Sequence, residues 1–274
     1  MQKVAVLNAS DVSKFYKEFC ALDGVTLEIR EGEIVSVIGP NGAGKTTLIN
    51  VLTGLLRPTA GKVHFKGQDI SGIGPQKLTR LGLARSFQLL HIFPEFTALE
   101  FVKIAIVSRQ GKGIKLFSSL DKDKEVSGES EEIIHMFGLY EKRNVLSKNL
   151  PQGDKKLLDI ASALALHPEV ILLDEPTSGV STSEKNRIME ILLSASERTG
   201  IKSIVLVEHD MDIVFSFSHR IIALHQGKVL ADCTPAELEK KEEVVCTVMG
   251  QKECFKTFSG LLSRLRGESN GHDA

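Results

Sequence analysis

The run Gly39-Pro40-Asn41-Gly42-Ala43-Gly44-Lys45-Thr46-Thr47 carries the densest chemistry in the sequence. It fits G-x-x-x-x-G-K-[ST], a spacing whose glycines let main-chain N–H groups turn inward around an anion. In such a loop Lys45 reaches the outer phosphates and the Thr46 hydroxyl is a hard ligand for Mg²⁺. The motif needs a strand before it and a helix after it. Ile34 to Ile38 is a short β-branched run, and Leu48 to Leu56 reads as a helix that stops before Pro58. The segment predicts a nucleoside triphosphate as ligand.

A second group of reactive side chains ends a buried run. Val170-Ile171-Leu172-Leu173 leads into Asp174-Glu175-Pro176. In open α/β sheets, ligands gather outside the carboxyl ends of strands. Asp174 is therefore placed to hold Mg²⁺ directly or through water, and Glu175 to take a proton from an attacking water. His209, in Leu206-Val207-Glu208-His209-Asp210-Met211, closes another apolar run. A neutral imidazole there bridges a γ-phosphate and the attacking water. The remaining histidines lack such a setting and read as structural.

These groups need a scaffold. Met1 to Asp11 reads as a polar-flanked strand, and Ala21 to Arg30 alternates from Leu22 onward as a half-buried one. Glu31-Gly32 is a turn, Lys62 to Phe65 another strand, and Asp69 to Leu83 a turn followed by a short helix. Thr97 to Val107 reads as helix, Ile133 to Phe137 opens a second helical stretch, and Leu157 to Leu166 is a third. Val170 to Leu173 and Ser203 to Val207 look like strands buried on both faces of a parallel sheet, with the helix Glu184 to Thr199 between them. The fold class is α/β, with a mainly helical insertion between about Gln88 and Leu150. Within it, Gln110 to Glu129 is rich in Gly, Lys, Ser and Asp and predicts a weakly structured surface insertion.

Composition narrows the class. The chain has 274 residues, 42% hydrophobic and 25% charged, which excludes a disordered or fibrous protein. A net charge of -1 leaves no electrostatic footprint for nucleic acid, so no such partner is expected. No stretch approaches the roughly 18–20 apolar residues of a membrane span, and no secretory leader is evident. The cysteines are scattered without C-x-x-C, which predicts four reduced thiols in an intracellular protein.

The phosphate loop, Gln88 in S-F-Q, L-L-D-E-P and E-H-D-M occur in the order seen in ATP-binding-cassette (ABC) ATPases, and the chain resembles that family from about Val4 to Gly250. With L-P-x-G at Leu150 to Gly153, it looks most like the ATPases of branched-chain amino-acid importers. The resemblance implies a P-loop NTPase fold of the ABC-ATPase type over residues 1–250. Its parts are a RecA-like parallel-sheet core, an antiparallel β subdomain, and a helical signature subdomain at about 88–165 with a flexible insertion at about 110–130. It implies ATP and Mg²⁺ as ligands. Tyr16 takes the place of the aromatic that stacks on adenine, with Phe15 beside it as the alternative. Gln88 joins Thr46 and Asp174 at the metal and links nucleotide state to a membrane partner. Gln88, Lys45, Glu175 and His209 form the catalytic set.

The resemblance also marks departures. The family's L-S-G-G-Q signature appears as Leu150-Pro151-Gln152-Gly153-Asp154, where Pro151 offers neither a hydroxyl nor an N–H. Importers of this kind often carry proline there. Asp154 adds negative charge near a triphosphate, which Lys155 and Lys156 would offset. In the loop Ser178-Gly179-Val180-Ser181, serine stands at 181 where many relatives carry aspartate or asparagine, and it would still hydrogen-bond across a dimer.

In this family two ATPase subunits, identical or not, sandwich two ATP molecules head to tail. They drive separate membrane permeases served by a substrate-binding protein, from the cytoplasmic side of the membrane. Residues 251–274 extend past the match as a basic amphipathic segment, suited to a membrane surface, a partner helix or its own domain. Cargo stays open between hydrophobic amino acids and urea, another amide or a lipid. A nucleotide-binding scaffold with little turnover is the reading of a different class. A GTPase is disfavoured, since no N-K-x-D follows the loop.

Overall fold

The computed structural model describes residues 4–86, 94–111 and 123–249. β1 (Ala5–Tyr16) and β2 (Phe19–Arg30) make an antiparallel hairpin, and β3 (Ile34–Ile38) runs through the glycine loop into α1 (Lys45–Leu52). β4 (Ala60–Phe65), β5 (Gln68–Asp69), α2 (Pro75–Leu81) and β6 (Leu83–Arg85) follow. Next come the helices α3 (Ala98–Arg109), α4 (Lys124–Met136) and α5 (Gln152–Leu164). β7 (Val170–Asp174), α6 (Thr182–Thr199), β8 (Ser203–Val207), α7 (Met211–Phe217) and β9 (Arg220–His225) rebuild the α/β alternation. β10 (Lys228–Cys233), α8 (Pro235–Leu238) and α9 (Glu242–Met249) finish the described chain.

Two sheets result. One is antiparallel, in the order β2-β1-β4-β5; the other runs β10-β9-β3-β8-β7-β6. The second is parallel except at its edge, where β10 pairs antiparallel with β9. This is the α/β fold that the motifs imply, with α3 and α5 packed on one face of the parallel sheet.

The apolar runs explain the layering. On β7, Ile171 and Leu173 point into a core shared with α3, α5 and α6, while Val170 and Leu172 point into one shared with α1 and the antiparallel sheet. β8 splits the same way, with Ile204 and Leu206 on one face and Val205 and Val207 on the other. Each such side chain contributes roughly 1.5–3 kcal/mol by leaving water. Both faces demand apolar residues, so the strands read as continuous runs.

Three expectations need correction. α1 stops at Leu52, short of Leu56, because Gly54 turns the chain at φ +71 against Ile73, whose carbonyl oxygen a Cβ would meet at 2.1 Å. α4 begins at Lys124, inside the segment expected to be weakly structured. The Asp123 side chain accepts from Glu125 N and Val126 N, and Val126, Ser130, Ile133 and Ile134 form the buried stripe. A serine in that stripe hides the helical period. Cys246 is disulfide-bonded, whereas Cys20 and Cys233 are free thiols. Gln88, most of the 110–130 insertion and the 251–274 extension lie outside the described residues. Among the described residues no helix is long and apolar enough to cross a membrane.

Candidate functional site

Strand register gathers the site. Val37 of β3 and Asp174 of β7 both pair with Val207 of β8, and Arg85 of β6 pairs with Leu172. The residues that follow these strands, from Gly39, Glu175, Glu208 and His209, therefore emerge together at the carboxyl edge of the sheet.

The loop from Gly39 to Gly44 ends as the N-cap of α1, with Gly44 in the left-handed region at φ +102. A Cβ on Gly44 would lie 2.6 Å from Ala21 O, so glycine alone lets β2 rest this close to the loop. The hairpin turns just before Ala21, where Tyr16 pairs with Phe19 and Phe15 with Cys20. Phe15 and Tyr16 are both exposed, and Lys14 Nζ sits 5.4 Å from the Tyr16 ring centroid. Lys45 Nζ donates to Gly39 O at 2.6 Å and Pro40 O at 3.0 Å across the loop. Burial pushes the Lys45 ammonium below its ordinary pKa, and the carboxylates of Glu175 and Asp174 pull it back up.

Asp174 Oδ2 accepts from Arg85 Nη2 at 2.7 Å. Glu175, next along, sits at φ +49, a conformation that costs a non-glycine residue on the order of 1–3 kcal/mol. It is held there by its N–H, which donates to Val207 O at 2.9 Å. The twist turns the carboxylate toward β8, where His209 Nε2 lies 3.0 Å from Glu175 Oε1. Both side chains keep solvent access, at 45% for His209 and 41% for Glu175, which a proton acceptor for water requires.

Two carboxylates that the motif reading passes over brace this pair. Glu208 is buried and accepts from Thr177 N at 3.1 Å and Thr177 Oγ1 at 2.8 Å, which ties the segment after Glu175 to the one before His209. Burial holds the Glu208 carboxyl above its ordinary pKa despite these bonds. Asp210 caps α7 and accepts from Lys185 Nζ of α6 at 2.6 Å. Burial raises the Asp210 carboxyl too, yet the lysine and the N–H groups of Ile213 and Asp212 keep it below its usual range. The signal in the sequence is charge flanking His209, which a search for catalytic types alone overlooks.

Pro151 is the N-cap of α5, and it and Gln152 stand exposed. Leu150, Gly153 and Asp154 are buried. Asp154 pairs with Lys142, and neither neighbouring lysine offsets its charge as expected. Lys155 Nζ donates to Lys148 O at 2.9 Å; Lys156 Nζ donates to Glu175 O and to Ser178 Oγ, each at 2.8 Å. The reason is direction: the Asp154 side chain turns into the helical subdomain. Ser181 is engaged within its own chain. It caps α6, and its hydroxyl donates to Glu184 Oε2 of its own chain at 2.7 Å.

Thr46 and Asp174 offer hard oxygens of the kind Mg²⁺ prefers. Among the described residues no cluster of three or more His, Cys, Asp or Glu exists to hold a softer or fully caged metal. A cavity of about 860 Å³ lies elsewhere, between α2, β6, α3 and α5; Arg85 lines it, but none of the glycine-loop residues does.

Comparison with known proteins points one way. Residues 22–178 match the family model described as ABC transporter. The chain is 35% identical over 238 residues to the high-affinity branched-chain amino acid transport ATP-binding protein LivG of Salmonella typhimurium, covering 84% of this chain and 92% of that one. Among solved structures it is similar to an ATP-binding cassette of an ABC transporter at 29% identity and TM-score 0.82, covering 90% of this chain and 100% of the other. It is also similar to a dimeric ATP-binding cassette in a post-hydrolysis state bound to ADP and Pi. That match has 30% identity and TM-score 0.71, over 84% of this chain and 98% of the other.

Proposed function

The chain belongs to the ABC transporter family, whose cassettes are ATPases, and we propose that it energises uptake of branched-chain or other hydrophobic amino acids through separate permease subunits. The observation that supports hydrolysis best is the meeting of Lys45, Asp174, Glu175 and His209 at one sheet edge. A triphosphate seated on the Gly39–Thr47 main chain draws Lys45 from its two carbonyl partners to the outer phosphates. Thr46 and Asp174, together with Gln88, would hold Mg²⁺, which would neutralise charge on the phosphate oxygens. Glu175 takes the proton from the attacking water, and His209 orients that carboxylate and touches the γ-phosphate. Tyr16 stacks on adenine.

The exposed tip of α5 at Pro151 and Gln152, with the Ser178–Ser181 loop beside it, is the face that completes a second copy's site in a head-to-tail dimer. Because the Asp154 charge is satisfied inside the subunit, the face presents main chain and shape to the partner's phosphate. The subunit sits on the cytoplasmic side of the membrane, where the surface around α2 and α3 receives the permeases. The test is uptake in proteoliposomes holding this chain with its permeases and binding protein. ATP-driven accumulation of radiolabelled leucine supports the reading, and accumulation of urea in its place assigns a different cargo.

A further inference from the structure

Arg85 lies outside every motif above, yet it bonds to two of the elements that would hold nucleotide. Its Nη2 donates to Asp174 Oδ2 at 2.7 Å, and its Nη1 donates to Asn50 Oδ1 on α1. The side chain is only 12% exposed, and its Nε–H is buried without a partner among the described residues. Leaving a guanidinium N–H unpaired is costly, so the fork's two remaining contacts set its position.

Those contacts have a shared geometry. Asn50 stands four residues after Thr46 on α1, hence on the same helix face. Asp174 uses one oxygen for Arg85, while Oδ1 takes no hydrogen bond from a described residue. We propose that Arg85 is a positioning residue for the metal: its fork fixes the Asp174 carboxylate against the helix that carries Thr46, leaving one carboxylate oxygen free for the ion. Arginine suits this role because its planar fork holds two acceptors in one fixed geometry, whereas an ammonium is a point charge with freely rotating donors. The inference rests on the ATPase reading of the same site and adds a residue to it.

The experiment measures binding of Mn²⁺, by the loss of its free-ion electron paramagnetic resonance signal, to the full chain with a non-hydrolysable ATP analogue. A fluorescent ATP analogue in EDTA reports nucleotide affinity without metal. Arg85→Ala should weaken Mn²⁺ binding about tenfold or more, the scale on which partners of metal ligands act, with metal-free nucleotide affinity kept within about twofold. Arg85→Lys restores charge without the fork and should fall between wild type and alanine. Asn50→Ala, which leaves the pair with Asp174, should also weaken Mn²⁺.

Mn²⁺ affinity equal to or tighter than wild type in Arg85→Ala overturns the proposal. So does a proportional loss of nucleotide in EDTA, which marks a general structural prop. If the alanine variant does not fold, the lysine variant decides: weakened Mn²⁺ supports the role and unchanged Mn²⁺ removes it. Failure of the wild type to bind nucleotide would instead bring down the ATPase reading beneath it.

Discussion

The carboxyl edge of the parallel sheet and the amino end of α5 are built on opposite plans. At the sheet edge, bonds join separate elements: Arg85 to Asp174, Glu208 to Thr177, Lys185 to Asp210, Glu175 to His209. At the start of α5 and in the Ser178–Ser181 loop, Asp154 turns to Lys142 and Ser181 to Glu184, while Pro151 and Gln152 stay at the surface. An edge that must hold several charges in one geometry is cross-braced. A face whose charges are settled locally has shape and main chain left to offer. Lys156 crosses between the two, from α5 to Glu175 O.

The largest effect should come from the edge. Glu175→Gln removes the proton acceptor and keeps its size, so steady-state phosphate release should fall by roughly 10²–10⁴-fold with ATP binding intact. A loss of binding in proportion would instead make Glu175 a structural group. Next, Glu208→Ala deletes the acceptor for two buried Thr177 donors and should cost about 1–3 kcal/mol in urea unfolding, with Glu208→Gln recovering part of it. A neutral result for alanine would mean that the bracing is dispensable.

Smaller effects sharpen the contrast. Asp210 has a carboxyl held below the ordinary 3.8, so its ionised form stabilises the fold. That contribution is present in full above the ordinary value and is lost as pH falls through the lower folded value. Lys185→Met should therefore lower stability at neutral pH, by about 1 kcal/mol for a pair whose side chains are only 21% and 24% exposed, and converge with wild type in acid. Equal deficits at both pH values would contradict the pairing.

Smallest of all should be Asp154→Gln, which restores the family's usual residue. Since Lys142 is nearly half exposed and the carboxylate faces inward, turnover should move by less than about twofold. A large rise in turnover would place that charge against the triphosphate after all.

Much of this contrast is written in the sequence, but unevenly. The strands Ile34–Ile38 and Ser203–Val207 match their runs residue for residue, because burial on both faces fills them with apolar side chains apart from the small buried serines Ser36 and Ser203. The ABC-type α/β fold follows from the order of short motifs along the chain. The helices suffer where their stripe holds a polar residue, as at Ser130 in α4. Partnerships are the least legible. Asp154 has lysines at its next two positions, and only the helix direction shows that it reaches back to Lys142. Arg85 and Glu208 look like ordinary strand-end charges until the register sets them beside Asp174 and Thr177. β9, β10, α8 and α9 carry no motif, so no short pattern marks their place in the fold.

If the braced edge of one subunit is completed by the α5 face of another, ATP must bring two copies together. Light scattering of Glu175→Gln with and without ATP tests it most directly. The account predicts a mass of 30.0 kDa without nucleotide and twice that value with ATP. A mass that stays at 30.0 kDa while ATP is demonstrably bound would contradict it.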